Sequence, residues 1–291
     1  MSRGTLVALV VVALAPTSAL AQGINTNVAL PVAKGEGIFR SQLRYVQATD
    51  DPTPVDREVR ALLAPQTLVY GITPRLTAFA TLRVLAHRRV EASGETLRKD
   101  EEVGDLRLLG RYTLFIDDYA PLSTRRVALL GGMKFPTGSD TSGPDRFGTP
   151  SFDPIVGGVA TWAANRHELD VDALYTITTE RHDFEAGDRF RYDLAYRYRL
   201  WPARFGRRTV ALHGLVELNG AWTGRSRDDG RTLRNSGGHV LFLSPGLQFV
   251  TRRVILEASV QVPIAQDLNG SQLETDVIAV LSLRVPFHLG F

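Results

Sequence analysis

The sequence contains no cysteine and no long apolar run beyond its first residues, and both absences narrow the possible folds. None of the 291 residues is a cysteine, so no disulfide stabilises the chain. After Gln22, no stretch approaches the ~20 apolar residues that a membrane-spanning helix requires. Without a spanning helix, the chain is either soluble or crosses a membrane with strands. A closed hydrogen-bonded β-barrel is compatible with the absence of cysteine, because it needs no disulfides.

The sequence also has little net charge. It contains 34 Lys and Arg against 31 Asp and Glu, a formal net charge of +3 at pH 7, and the charges are spread along the chain. A nucleic-acid-binding protein concentrates basic residues on one face or in one segment. We therefore expect no nucleic-acid partner.

The N-terminus has the three regions of a Sec-type signal peptide. These are Arg3, the apolar run Leu6–Leu14, and the small residues Ala19 and Ala21 before Gln22. The apolar run is too short to span a bilayer. We expect residues 1–21 to be cleaved and the domain 22–291 to be exported to the bacterial outer membrane, where lipid surrounds it.

Apolar and polar residues alternate with a period of two from Phe39 to Phe291. The clearest stretch is 189–200, where aromatic and aliphatic residues alternate with arginines and Asp193. Such alternation predicts strands with one apolar and one charged face. A soluble β-sandwich is the alternative, but it would not carry charge on the second face of strand after strand. The pattern predicts an all-β transmembrane antiparallel barrel of about twelve strands.

The linkers between these strands are alternately short and long, which predicts short periplasmic turns and long extracellular loops. Three of the expected long loops are Thr49–Ala64, Glu91–Glu101 and the stretch 135–154. The last of these is rich in Gly, Pro, Ser and Thr, and could fold inward as a constriction. A surface loop is the favoured interpretation.

The last strand ends in an uninterrupted apolar row. Every odd-numbered residue from Val277 to Phe291 is apolar, and the row includes Phe287 and the terminal Phe291. It resembles the C-terminal strand signal by which the barrel assembly machinery recognises its clients. We therefore expect that machinery to be a partner.

The face opposite the apolar one predicts the residues that line the lumen. They are Arg40, Arg44, Arg83, Arg107, Arg111, Asp170, Asp172, Arg191, Asp193, Arg197, His213 and Glu217. In one interpretation these charges line a channel and select its solutes, with the basic excess favouring anionic or polar aromatic ones. In the other, charges on neighbouring strands neutralise each other. The barrel would then have a filled lumen and a structural or adhesion role.

No pattern of residues indicates catalysis, a metal or another cofactor. None of the six histidines has a serine two residues away, and no G-x-S-x-G motif occurs. Acidic and histidine residues near His182 and in 140–145 match neither EF-hand nor zinc spacings. We expect a protein that is not an enzyme.

Three short motifs suggest a family. They are Met133–Gly138, Gly104–Leu106 and Ser244–Gln248. With them the chain resembles the family of outer-membrane transporters labelled as meta-pathway phenol-degradation proteins. The resemblance implies a single-chain barrel that admits small aromatic or other hydrophobic molecules and has no catalytic residues. Compared with long-chain fatty-acid channels, the sequence has little between Gln22 and Lys34 to form a plug, so a gate is expected from loops or lumen charges.

Overall fold

The computed structural model describes residues 23–93, 95–138, 148–203 and 210–289, with the side chains of 98–100 excepted. The expected signal peptide 1–21 and Phe291 lie outside these ranges. Within them, no helix is long and apolar enough to cross a membrane.

Strands make up the regular structure of the described ranges. They are β1 (Glu36–Ala48), β2 (Arg57–Leu63), β3 (Gln66–Gly71), β4 (Leu76–Ala92), β5 (Glu95–Ala120), β6 (Ser123–Phe135), β7 (Asp153–Ala164), β8 (His167–Thr176), β9 (Phe184–Glu185), β10 (Arg189–Trp201), β11 (Ala211–Thr223), β12 (Arg227–Asp228), β13 (Arg231–Thr232), β14 (Gly238–Val250), β15 (Ile255–Leu268) and β16 (Val277–His288).

Twelve strands form one closed antiparallel barrel, as the alternation predicts. The segments β2 and β3 are successive halves of one barrel strand, because each pairs with both β1 and β4. Pairing of β16 with β1, from Glu36↔His288 to Gln47↔Val277, closes the ring. The short strands β9, β12 and β13 form a separate small sheet in the long connections.

The side chains are distributed in the opposite way to those of a soluble protein. On β8, Asp170 and Asp172 are each 1% exposed, while Val171 between them is 49% exposed. On β10, Asp193 is 2% exposed and Leu194 is 40% exposed. A sandwich would place the apolar residues in its core. Charged residues inside and apolar residues outside therefore identify a barrel whose outer wall faces lipid.

Two of the expected loops are wrong in extent. The expected loop Glu91–Glu101 is a strand hairpin, because β4 runs to Ala92 and β5 begins at Glu95. The expected loop Thr49–Ala64 ends where β2 begins, at Arg57. Only ~9–11 residues of a strand are needed to cross a bilayer. We attribute the missed strand segments to their position outside the bilayer. There water surrounds both faces of the strand, so apolar and polar residues no longer alternate.

Residues 23–34 run inside the barrel before β1 begins. In this segment Val28 and Ala29 have no exposed surface, and Ile24 is 1% exposed. The expectation that the chain has little here to form a plug is therefore wrong. The segment lacks any periodic pattern, and contacts with the inner wall hold it in place.

Candidate functional site in the barrel lumen

The twelve residues expected to line the lumen lie on the inward faces of their strands. Arg40 and Arg44 lie on β1, Arg83 on β4, Arg107 and Arg111 on β5, Asp170 and Asp172 on β8, Arg191, Asp193 and Arg197 on β10, and His213 and Glu217 on β11. Most of them fall into three groups: residues that hold segment 23–34, residues that pair within the wall, and arginines that face the remaining lumen. Asp170 and His213 belong to none of these groups.

Two carboxylates hold the N-terminal part of the segment. Glu217 accepts hydrogen bonds from the backbone N–H of Asn25 at 3.0 and 3.2 Å, from Asn25 Nδ2 at 2.7 Å and from the N–H of Thr26 at 3.3 Å. Asp172 accepts from the backbone N–H and Nδ2 of Asn27, at 2.7 and 3.1 Å. These backbone donors belong to no strand, so the carboxylates supply the partners that buried N–H groups require.

Three arginines bind the backbone carbonyl groups of the same segment. Arg111, 1% exposed, donates to Val28 O at 2.6 Å and also to Leu30 O. Arg284 Nη2 donates to Gly23 O at 2.7 Å, and Arg40 Nη2 donates to Ile24 O at 2.5 Å. Donors and acceptors of an irregular chain are thus both paired inside the barrel.

Threonine hydroxyls and apolar contacts complete this anchoring. Thr161 and Thr77 accept hydrogen bonds from the N–H groups of Ala29 and Val32, at 2.8 and 3.1 Å. The apolar side chains of the segment contact three inner-wall clusters. Val32 packs with Ile38, Val69, Ala211, Val250 and Ile255; Ala29 with Ala128, Leu130, Ile155, Val159 and Leu174; and Ile24 with Leu215 and Val280. The inner wall is apolar where the segment touches it, and apolar burial holds the segment as well.

Ion pairs between strands fill another part of the inner wall. Glu257 on β15 binds Arg284 at 2.7 Å and Arg40 at 3.1 Å. Glu168 on β8 pairs with Arg197, which lies directly opposite on β10. Here neighbouring strands do neutralise each other, as one interpretation of the sequence expects.

Two further residues of the expected twelve, Asp170 and His213, are buried in the wall. Asp170 accepts a hydrogen bond from Thr161 Oγ1 at 2.5 Å. His213 is 9% exposed, and its Nδ1 has no hydrogen-bond partner in the described part of the chain. Both residues therefore lie buried on the inward face of the wall.

Five arginines come together from different parts of the wall. Arg44, Arg83, Arg107, Arg189 and Arg191 project from β1, β4, β5 and β10. Each lies within range of electrostatic interaction with at least two of the others, and Arg189 with all four. Arg83 and Arg189 are exposed even though they lie on inward faces. We name this group the arginine cluster.

The ends of the loop between β6 and β7 are fastened to the inner wall. Lys134 Nζ binds Asp105 at 3.0 Å and Asp153 at 3.1 Å, and donates to Ser151 O at 2.8 Å. Asp105 also accepts hydrogen bonds from the N–H groups of Gly138 and Thr149, at 3.1 and 2.9 Å. Asp105 faces inward, so both ends of the loop lie at the lumen side of the wall. Residues 139–147 of the loop lie outside the described ranges.

Several lumen residues were not singled out from the sequence. Glu257 and Arg284 lie on the inward face of strands whose alternation is clear, so the same signal could have identified them. Asn25 and Asn27 belong to a stretch without periodicity, and no pattern in the sequence marks them. Phe287, of the expected assembly signal, packs with its ring over Gly37, where an added Cβ would lie 2.1 Å from the ring.

The histidines of the described ranges include two with aromatic partners. Two histidines bind tyrosine hydroxyls: His167 contacts Tyr196 at 2.6 Å and His239 contacts Tyr192 at 2.7 Å. Among the residues that the structure describes, no group of three His, Asp or Glu could hold a metal ion.

A protein-family model described as "Putative MetA-pathway of phenol degradation" matches residues 61–265, more than two thirds of the chain. The chain belongs to this family. The match confirms the resemblance carried by the three short motifs. The family and the fold together make the chain an outer-membrane protein. No curated protein matches this member of the phenol-degradation family in sequence.

Solved structures share the fold. The COG4313 outer membrane channel from Pseudomonas putida F1 is 16% identical, with a TM-score of 0.68, over 88% of this chain and 97% of that one. The β domain of the Bordetella autotransporter BrkA is 10% identical, with a TM-score of 0.51, over 87% of this chain and 100% of that one. At these identities the similarity establishes a shared outer-membrane barrel fold.

Proposed function

We propose that this barrel is an outer-membrane channel for the passive uptake of small solutes, aromatic or hydrophobic compounds among them. The observation that carries the proposal is a lumen lined with charged side chains and occupied by segment 23–34, with exposed arginines beside it. The phenol-degradation family and the fold of the P. putida channel support the same function. The proposal includes no catalytic step.

In this proposal, segment 23–34 moves when a solute passes. Its polar contacts are hydrogen bonds to side chains of the wall and not strand pairing, so they can open one by one. The segment also joins β1 directly at Glu36, so it can be displaced without breaking the barrel. The segment is therefore the gate in this account, in place of the loops.

The second candidate is a structural or adhesion barrel with a filled lumen. The buried pairs Glu257–Arg284 and Glu168–Arg197 favour it, because they occupy lumen volume and neutralise charge. The arginine cluster favours the channel, because Arg189 is an inward-facing cation that is exposed and forms no ion pair with a described residue. The two candidates predict different behaviour in a bilayer.

The test is single-channel conductance of the refolded mature chain in a planar bilayer. We expect discrete ohmic steps that benzoate or phenol alters at millimolar concentration. Vesicles loaded with the protein should also take up phenol faster than protein-free vesicles. A silent bilayer with verified insertion, together with unchanged uptake, would favour the structural barrel.

A further inference from the structure

The arginine cluster places several like charges in one enclosed space. Arg107 lies within electrostatic range of Arg83, Arg189 and Arg191, and Arg44 lies within range of Arg189 and Arg191. Guanidinium groups stay charged at any physiological pH. Walls of low dielectric strengthen their mutual repulsion, which the nearby carboxylates of Asp172, Asp193 and Glu217 offset only in part, so an added anion would stabilise the group.

Three of the five arginines have no carboxylate bound to them in the described part of the chain. Arg44 donates to two neutral amide oxygens, Gln261 Oε1 at 2.8 Å and Asn25 Oδ1 at 3.3 Å. The Nε of Arg107 is buried without a hydrogen-bond partner, and neither Arg107 nor Arg189 forms an ion pair with a described residue. Arg107 and Arg189 therefore carry guanidinium groups that no described carboxylate occupies.

The carboxylates nearest the cluster are occupied by other groups. Asp172 and Glu217 accept the backbone N–H groups of segment 23–34. Asp193 accepts a hydrogen bond from Asn219 Nδ2 at 2.8 Å and lies 3.0 Å from Arg191. Asp105 binds Lys134. The wall therefore supplies Arg191 with counter-charge but leaves Arg107 and Arg189 without a direct one.

We propose that the arginine cluster is a binding site for small organic carboxylates, with Arg107 and Arg189 as its principal ligand-binding residues. The inference rests on the proposed function and names the solute class of that channel. The planar, forked guanidinium group matches the two oxygens of a carboxylate. An aromatic acid would place its carboxylate at these residues while segment 23–34 closes the path beyond.

The test measures binding without requiring conduction. The refolded mature chain in detergent is titrated with 4-fluorobenzoate while the ¹⁹F line width is followed, and inorganic phosphate and benzyl alcohol serve as competitors. We expect saturable broadening that unlabelled benzoate reverses and that neutral benzyl alcohol leaves unchanged. Displacement by phosphate at lower concentration than by benzoate would overturn the assignment to carboxylates, as would the absence of saturable binding.

Matched variants locate the site. Arg107→Gln and Arg189→Gln should each weaken binding about tenfold, the effect of losing one charge-assisted hydrogen bond. Arg252→Gln removes the same charge from the exposed turn between β14 and β15, and should leave binding unchanged. Equal weakening in all three variants would contradict the site. Because Arg189 is exposed, its variant should fold even if that of Arg107 does not.

The two proposals can fail separately. Benzoate that binds but does not alter conductance in a silent bilayer would leave the carboxylate site and remove the channel. Conductance steps without anion preference, and without fluorobenzoate binding, would leave the channel and remove the site. Reversal potentials in a KCl gradient for the parent and Arg107→Gln provide that comparison.

Discussion

Glu217, in the middle of β11, binds Asn25 through both the backbone N–H and the side-chain amide, at 3.0 and 2.7 Å. The two residues are separated by 192 positions in sequence. Their contact fastens a segment without secondary structure to the inside of a regular barrel. The behaviour of that segment decides whether the lumen conducts.

Glu217→Gln should loosen segment 23–34. The amide keeps one acceptor oxygen but presents N–H donors to the N–H groups of Asn25 and Thr26, which leaves at least one buried donor unpaired at a cost of about 1–3 kcal/mol. Hydrogen exchange should be faster at residues 25–27 and unchanged in β16. Glu58→Gln, a partly exposed position on β2 away from the segment, is the control. Unchanged exchange at residues 25–27 would mean that Glu217 does not hold the segment.

Gly71→Ala should displace the other end of the segment without removing any polar partner. An added Cβ at Gly71 would lie 2.1 Å from Ala33 O and 2.5 Å from Val32 O, so the backbone at these residues must move. We expect a loss of about 1–3 kcal/mol in stability and larger conductance steps. Gly131→Ala is the matched control, because an added Cβ there meets nothing within 4 Å. Equal conductance in the two variants would argue against the segment as the gate.

Lys134→Met should release the ends of the loop between β6 and β7. The substitution leaves the carboxylates of Asp105 and Asp153 close together without their shared cation, and removes the hydrogen bond to Ser151 O. The two carboxylates then repel each other where little water reaches them. Protease added outside intact cells should cut the loop faster than in the parent. Arg253→Met, in the opposite turn, should not change that rate.

The loop before β2 should respond to pH through Asp51. Two hydrogen bonds from the Arg57 side chain, at 2.7 and 2.8 Å, hold the pKa of this carboxyl below its usual range. A lowered pKa in the folded state means that the contact contributes fully above the unfolded value of ~3.9 and is lost as pH falls through the folded value. The Arg57 Nε resonance should therefore shift only below about pH 4. A midpoint at or above that value would contradict the contact, and Asp51→Asn should show the acidic spectrum at pH 7.

The strands and the direction of their side chains could be predicted from the sequence because lipid on one side and charge on the other impose a period of two. Asp170, Val171 and Asp172 show this pattern directly. The partner of each charge could not be predicted, because pairing depends on register. Asp172 lies opposite Asp193 across the β8–β10 pair, and Arg191 lies beside both. The alternation of apolar and polar residues indicates which face of the sheet a residue lies on, but not which residue lies opposite it on the next strand.

Segment 23–34 was missed for a different physical reason. Its buried N–H and C=O groups are paired with side chains from distant strands and not with a neighbouring strand, so Asn25 and Val28 carry no local pattern. The hairpin around Ser93 was missed because alternation ends where water meets both faces. The segment could not be predicted because long-range contacts hold it, and the hairpin could not be predicted because water surrounds both of its faces.

The measurement that tests the account most directly compares single-channel conductance of the mature chain with that of a variant lacking residues 23–34, both refolded and inserted into the same bilayer. We expect larger and more frequent steps in the shortened barrel, with benzoate reducing the current in both. Identical conductance, or silence in both barrels after verified insertion, would contradict a solute path gated by this segment.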